Sequence, residues 1–159
     1  MRSGFIIGLR LFGCLLVPLA VGGISGYATA SSIHGWYEHL IKPSFNPPNN
    51  LFGPVWTLLY TLMGVSLFII LNSPKSDART QAVKIFAIQL ILNFFWSFLF
   101  FKFNLLGIAL IEIILMLLSI GTMIKYFSRV NKLAAYLQIP YLLWVSFATM
   151  LNGAIWMLN

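Results

Sequence analysis

Five long apolar runs, set off from one another by basic residues, constrain this chain more than any other feature. The punctuating charges are Arg10, Lys42, the cluster Lys75/Asp77/Arg79/Lys84, Lys102 and Lys125/Arg129/Lys132, and no charged side chain follows Lys132. Between them lie candidate spans at roughly residues 5–28, 52–72, 81–101, 104–125 and 133–157. About 20 apolar residues cross a bilayer as a helix, so five spans and their connections use the whole length and leave no soluble domain. With 60% hydrophobic and only 8% charged residues, a water-soluble fold is excluded. A closed β-barrel requires short alternating segments, whereas these runs are continuously apolar. The expected fold is an all-α integral membrane protein. It forms one domain over 1–159, a five-helix transmembrane bundle with a short N-terminal tail and a structured, proline-rich loop between the first two helices.

Two spans need argument. Only residues 85–101 separate Lys84 from Lys102, but lysines at both ends can extend their ammonium groups to the headgroups, so this segment still crosses. The first span could be a cleaved signal, since Arg2 and Arg10 precede apolar sequence and Ala28-Thr29-Ala30 has the form of a cleavage site. Against cleavage, the stretch is longer than a signal core, and Gly4/Gly8 and Gly22/Gly26 have the spacing that lets helices pack closely. Retention of this segment is the expectation. The single cysteine, Cys14, supports neither an internal disulfide nor a metal cluster.

The net charge of +7 does not mark a nucleic-acid surface, because the basic residues sort by membrane side. Arg2, Lys75, Arg79, Lys84, Lys125, Arg129 and Lys132 share one side, against Lys42 and Lys102 on the other. This bias predicts a cytoplasmic N-terminus, with the 36–50 loop and the C-terminus outside, and a bacterial cytoplasmic membrane as the location.

Polar and aromatic residues recur on one face of three spans: Trp56, Leu59, Tyr60 and Met63; Asn93, Trp96, Ser97 and Phe100; and Trp144, Phe147, Ala148, Leu151, Asn152 and Ile155. In lipid such residues need hydrogen-bond partners, so these faces point inward. They could simply join helices, as Asn93 and Asn152 individually suggest. As a set, the indoles fit a cavity for a flat aromatic ligand better, offering stacking surface and N–H donors. The loop preceding the second span, stiffened by Pro43, Pro47 and Pro48, reads as extended, and as either the rim of that pocket or a packed interfacial loop.

Glu112 sits deep in the fourth span, where a carboxyl group is either functional or a neutral donor across a helix or subunit interface. No basic residue at similar depth pairs with it, which favours the structural role. His34 and His39 lie in or beside the loop, so no buried histidine is available to a haem iron. With three carboxylates in all and no Ser/His/Asp set, hydrolase chemistry is excluded.

The run Trp36-Tyr37…Leu40…Lys42-Pro43…Pro47-Pro48…Phe52-Gly53-Pro54-Val55-Trp56…Leu59-Tyr60…Met63-Gly64 resembles the tryptophan-rich sensory protein (TspO) and translocator protein family, also called peripheral benzodiazepine receptors. Leu92-Asn93…Trp96-Ser97…Phe100-Phe101, Gly107…Glu112 and Pro140-Tyr141-Leu142…Trp144…Phe147-Ala148…Leu151-Asn152 agree with it. The resemblance implies five transmembrane helices, commonly a homodimer, and a loop-capped cavity for porphyrins, sterols and synthetic aromatic ligands. Carried over by motif, Trp36, Tyr37, Trp56, Asn93, Trp96, Trp144, Phe147, Ala148 and Leu151 would line or cap that cavity, with Pro43, Phe45, Tyr60 and Phe100 adjoining them. Phe45 stands where the family usually has Trp, keeping the ring but losing its N–H. The segment Asn152–Asn159 holds no Tyr, Lys or Arg, so the sterol-recognition pattern of mammalian relatives is absent and sterol is disfavoured.

The resulting expectation is a membrane receptor or transport protein for tetrapyrroles such as protoporphyrin IX, with no cofactor required, no metal site and no nucleic-acid partner. Its second, third and fifth spans would form the walls and the 36–50 loop the lid. One rival is a light-dependent porphyrin-degrading enzyme, in which the resemblance implies catalytic roles for Trp56 and Trp144. Another is a membrane sensor acting on a protein partner through its basic loops.

Overall fold

Apolar runs of this length satisfy their backbone in lipid only by coiling on themselves, and the computed structural model is helical throughout, with no strand among the described residues. It describes residues 2–159, and the side chains of 4–32 and 35–159. Helix α1 (Arg2–Ser32) continues through a π-helical turn, Ile33–Tyr37; α2 is Asn49–Asn72; α3 (Asp77–Ser97) runs into a second π-helical turn, Phe98–Lys102; then follow α4 (Leu106–Val130), the short α5 (Lys132–Tyr136) and α6 (Ile139–Leu158). Five segments are long and apolar enough to cross a bilayer: Gly4–Ser32, Asn49–Asn72, Asp77–Lys102, Leu106–Val130 and Lys132–Leu158. The chain is a multi-pass integral membrane protein.

Local chemistry places the boundaries. Ser76 caps α3 by accepting the Arg79 backbone N–H at 3.2 Å, with Asp77 in the first turn where the helix dipole favours an anion. Asn131 ends α4 and caps α5, its side-chain oxygen accepting the Ala134 N–H at 3.2 Å. Asn104, at φ 58°, turns the chain from α3 into α4 in the left-handed conformation that Asn tolerates better than most residues. The fifth span is broken at Leu137–Gln138, because Pro140 has no N–H to extend α5 and instead opens α6.

Two expectations about the first connection need correction. Trp36 and Tyr37 lie on the helical continuation of α1, not in an extended loop, since no proline lies between Pro18 and Pro43 to stop the helix. Helix α2 begins at Asn49 rather than at Phe52, and Pro54 is taken inside its second turn. The segment between, Leu40–Pro48, is irregular, with a turn at Ser44–Phe45.

The helices form a closed ring. Helix α1 packs along α2 and more lightly on α3; α3 lies on α4; α4 carries α5 and α6; and α2 closes the circuit against α5. Only 11% of the apolar window of α1 is buried, against 33–39% in the other spans, so α1 is the helix most open to lipid. What holds it is close backbone approach. A Cβ on Gly64 of α2 would stand 2.7 Å from the Leu15 Cα and 2.8 Å from the Cys14 carbonyl oxygen. Pro18, which cannot donate to that carbonyl, leaves it free of its usual bond in α1.

Candidate functional site

A cavity of about 340 Å³ lies where α1, α2 and α3 diverge. Helix α1 contributes Leu19, Gly22, Gly23, Ser25, Gly26 and Thr29, a face with almost no side-chain bulk. Facing it are Phe52, Trp56 and Tyr60 of α2, Trp96 and Ser97 of α3, Phe101 of the second π-helical turn, and Tyr37 and Asn49 beside the connection. The Trp56 and Tyr60 rings stack, with centroids 5.3 Å apart at 27°. The hydroxyls of Ser25 and Thr29 donate to carbonyls one turn back in α1, at 2.8 Å each. They leave the wall apolar.

Of the residues read from the sequence as lining the site, Tyr37, Trp56, Tyr60 and Trp96 meet here. Others tie the walls together. Asn93, buried in α3, accepts the Tyr60 hydroxyl at 2.6 Å and donates to Tyr141 at 3.2 Å, while the Tyr141 hydroxyl donates to Gln89 at 2.8 Å. Trp96 gives its indole N–H to Asn152 of α6 at 3.2 Å, and Asn152 donates in turn to the Leu106 carbonyl at 3.0 Å. Both asparagines thus join helices.

The remaining sequence-based candidates stand outside the lining, so α1, not the fifth span, supplies its third wall. Trp36 and Phe100 meet edge to face at 6.1 Å behind Tyr37, which itself reaches Phe101 at 5.4 Å. Pro43 is half-buried in the connection, and the exposed Phe45 rests edge-on against Phe147 of α6 at 6.2 Å. Ala148 and Leu151 are packed into the core. Trp144 packs between Phe52, at 5.9 Å, and Phe147, at 5.7 Å, and its indole N–H is buried without a hydrogen-bond partner among the described residues. The physical reason is volume: large side chains of α2 and α6 meet and fill the space between those helices, whereas the glycines of α1 leave theirs empty.

The connection is held over this end of the bundle. Tyr37 donates its hydroxyl to Asn46 at 2.8 Å, and Lys42 sits 4.8 Å above the Tyr37 ring. Asn159 brackets Ile41, accepting its N–H and donating to its carbonyl, each at 3.0 Å. Burial pushes the Tyr37 phenol up to about 12. His39 is exposed and bonds the Gly35 carbonyl within its own turn; the side chain of His34 lies outside the described residues. Glu112 is buried on α4, yet neither carboxyl oxygen has a hydrogen-bond partner among the described residues. The expected cross-helix bond is therefore absent within one chain. Its neighbours in α4 are apolar, Ile113 and Met116 among them.

The small-residue wall was the part of the site that the sequence reading missed. Gly22 and Gly26 carry the signal, but within one span their spacing reads as helix packing alone. Packing is half of it, since a Cβ on Gly22 would collide with the Tyr60 ring, whereas one on Gly26 would meet nothing within 4 Å.

Comparison with known proteins agrees with these features. The family model described as the TspO/MBR family matches residues 14–157. The chain is 43% identical over 152 residues to the tryptophan-rich protein TspO of Archaeoglobus fulgidus, covering 95% of this chain and 97% of that one. It is 41% identical over 152 residues to the protein of the same name in Chlorobaculum tepidum, covering 95% and 96%. A translocator protein from Sus scrofa is 34% identical over 151 residues, covering 93% and 89%. A five-span helical bundle, an aromatic cavity behind a proline-rich connection, and a match over nearly the whole length lead to one conclusion: this chain belongs to the TspO/MBR family.

Proposed function

We propose that this protein is a membrane receptor or transport protein that binds tetrapyrroles, protoporphyrin IX among them, and other flat aromatic ligands between α1, α2 and α3. The observation that carries this reading is the cavity wall: stacked Trp56 and Tyr60, with Trp96, Phe52 and Phe101, facing a side of α1 built from glycines. Aromatic faces on one side and open backbone on the other suit a planar ring system, which stacks without needing depth. Its volume of about 340 Å³ is at the lower end for ligand pockets, and α1, the least buried helix, is the wall with most freedom to yield. Asn49 and Ser97 bring polar groups to the lining for ring substituents. The relatives named translocator protein support a transport-type role. The same proposal holds that no cofactor is required, that sterol is disfavoured as the ligand, and that the protein is a homodimer in a bacterial cytoplasmic membrane.

The test is the absorbance spectrum of protoporphyrin IX mixed with the purified protein, in darkness and under illumination. A bound spectrum stable in both conditions is expected. Loss of the porphyrin band only in light, with a new product and repeated turnover, would replace the binder by an enzyme using its indoles. An unchanged free-porphyrin spectrum would remove tetrapyrroles from the proposal.

A further inference from the structure

A second cavity, of about 540 Å³, opens between α1 and the end of α2, and both Arg10 and Arg79 line it. Its other walls are apolar or bare: Gly13 and Val17 of α1, Leu67 and Leu71 of α2. A neighbouring cavity shares Arg79 and Leu71 and adds Lys75 and Lys84, so the positive surface continues outward from the arginines. Arg79 donates one N–H to the Ser73 carbonyl at 3.1 Å, and Arg10 is exposed and makes no hydrogen bond among the described residues. Neither has a carboxylate partner among the described residues.

Two guanidinium groups on one groove, with no carboxylate partner among the described residues, favour an anion between them. Arg10 lies two turns inside α1, where its stem can follow the apolar surface while its head seeks charge. From Gly13 to Val17 the groove runs on for about 6 Å of helix. A Cβ on Gly13 would meet nothing within 4 Å, so this floor is open. Cations at one end and an apolar trough at the other match an amphiphile with a phosphate head. A free phosphate would satisfy the arginines but leave the trough without an occupant. We infer that this groove binds an anionic membrane phospholipid, with the phosphate held between Arg10 and Arg79 and the start of an acyl chain along Gly13, Val17, Leu67 and Leu71.

Native mass spectrometry of the whole purified protein tests the inference, using phosphatidylglycerol, phosphatidylcholine and inorganic phosphate as probes. Phosphatidylglycerol should be retained over phosphatidylcholine, and inorganic phosphate should not displace it. Arg10→Gln and Arg79→Gln should each lower retention about fivefold, while Lys125→Gln and Lys132→Gln, outside the groove, should change it little. Gly13→Leu leaves every charge in place and fills the trough, and should lower retention as well. Equal retention of both lipids, equal losses from the lysine variants, or displacement by inorganic phosphate with Gly13→Leu silent would each overturn the site. If Arg79→Gln fails to assemble, for want of its Ser73 bond, Arg10→Gln decides alone, since that side chain bonds no other group among the described residues.

Discussion

Trp96 and Asn152 are joined across α3 and α6 by an indole-to-amide hydrogen bond of 3.2 Å, and this contact sets what Trp96 offers a ligand and ties α6 to α3. The N–H is committed to the protein, so only the ring faces the cavity. Asn152→Leu should therefore lower thermal stability in detergent by about 1 kcal/mol, the usual scale for a side-chain hydrogen bond between transmembrane helices. Trp96→Phe should cost similar stability yet retain most porphyrin affinity. Loss of binding in Trp96→Phe at unchanged stability would show that the ligand needs the N–H.

Trp56→Ala should weaken protoporphyrin binding by about 1–3 kcal/mol, the range for removing one aromatic stacking surface. Trp156, exposed on α6 and outside the cavity, is the control, and Trp156→Ala should lose much less. Quenching titrations giving equal losses would refute the site between α1, α2 and α3.

Gly64→Ala tests how α1 is held. Its new methyl group would lie 2.7 Å from the Leu15 Cα, which is backbone and cannot step aside. A loss of about 1–3 kcal/mol is expected from such overpacking, read as a fall in the thermal midpoint. Gly26→Ala, with open space before it, should leave stability unchanged and narrow the cavity instead.

The Tyr37 phenol, pushed up to about 12 by burial against an ordinary value near 10, makes the connection sensitive to alkali. Because the folded state favours the protonated form, its contribution is complete below about pH 10 and is lost as pH rises through about 12. The anion also cannot donate to Asn46. Unfolding midpoints of wild type and Tyr37→Phe, measured across this range, should converge as pH rises. Parallel curves would mean that Tyr37 does not titrate with the fold.

Charge bias predicts an orientation, and cysteine labelling tests it. Asn49, at the start of α2, and Ser76, just before α3, are exposed on either side of the second span, and Cys14 is buried and should stay silent. Cysteines at the two positions should label from opposite faces, with position 49 outside. Labelling of position 49 from the cytoplasmic face would invert the orientation.

The number of spans, their helical nature and the membrane itself follow from the sequence alone, because apolar length and the need to satisfy backbone polar groups leave no other solution in lipid. The inward faces of α2 and α3 were legible for the same reason: Tyr60, Asn93 and Trp96 must find partners away from lipid, and Tyr141 and Asn152 are where they find them. Which helices enclose empty space was not legible. That depends on how side-chain volumes from different spans meet, and no periodicity within one span records it. Trp144 and Phe52 fill the gap between α6 and α2, so the indole that the motif nominated stands behind the wall. Gly23 and Gly26 leave the gap beside α1, a helix with little polarity to mark an inward face. Glu112 shows the same limit, since its depth could be counted along the chain but its lack of a partner is a property of the packed helices around it. Sequence fixes which groups must be buried; tertiary packing decides which of them touch.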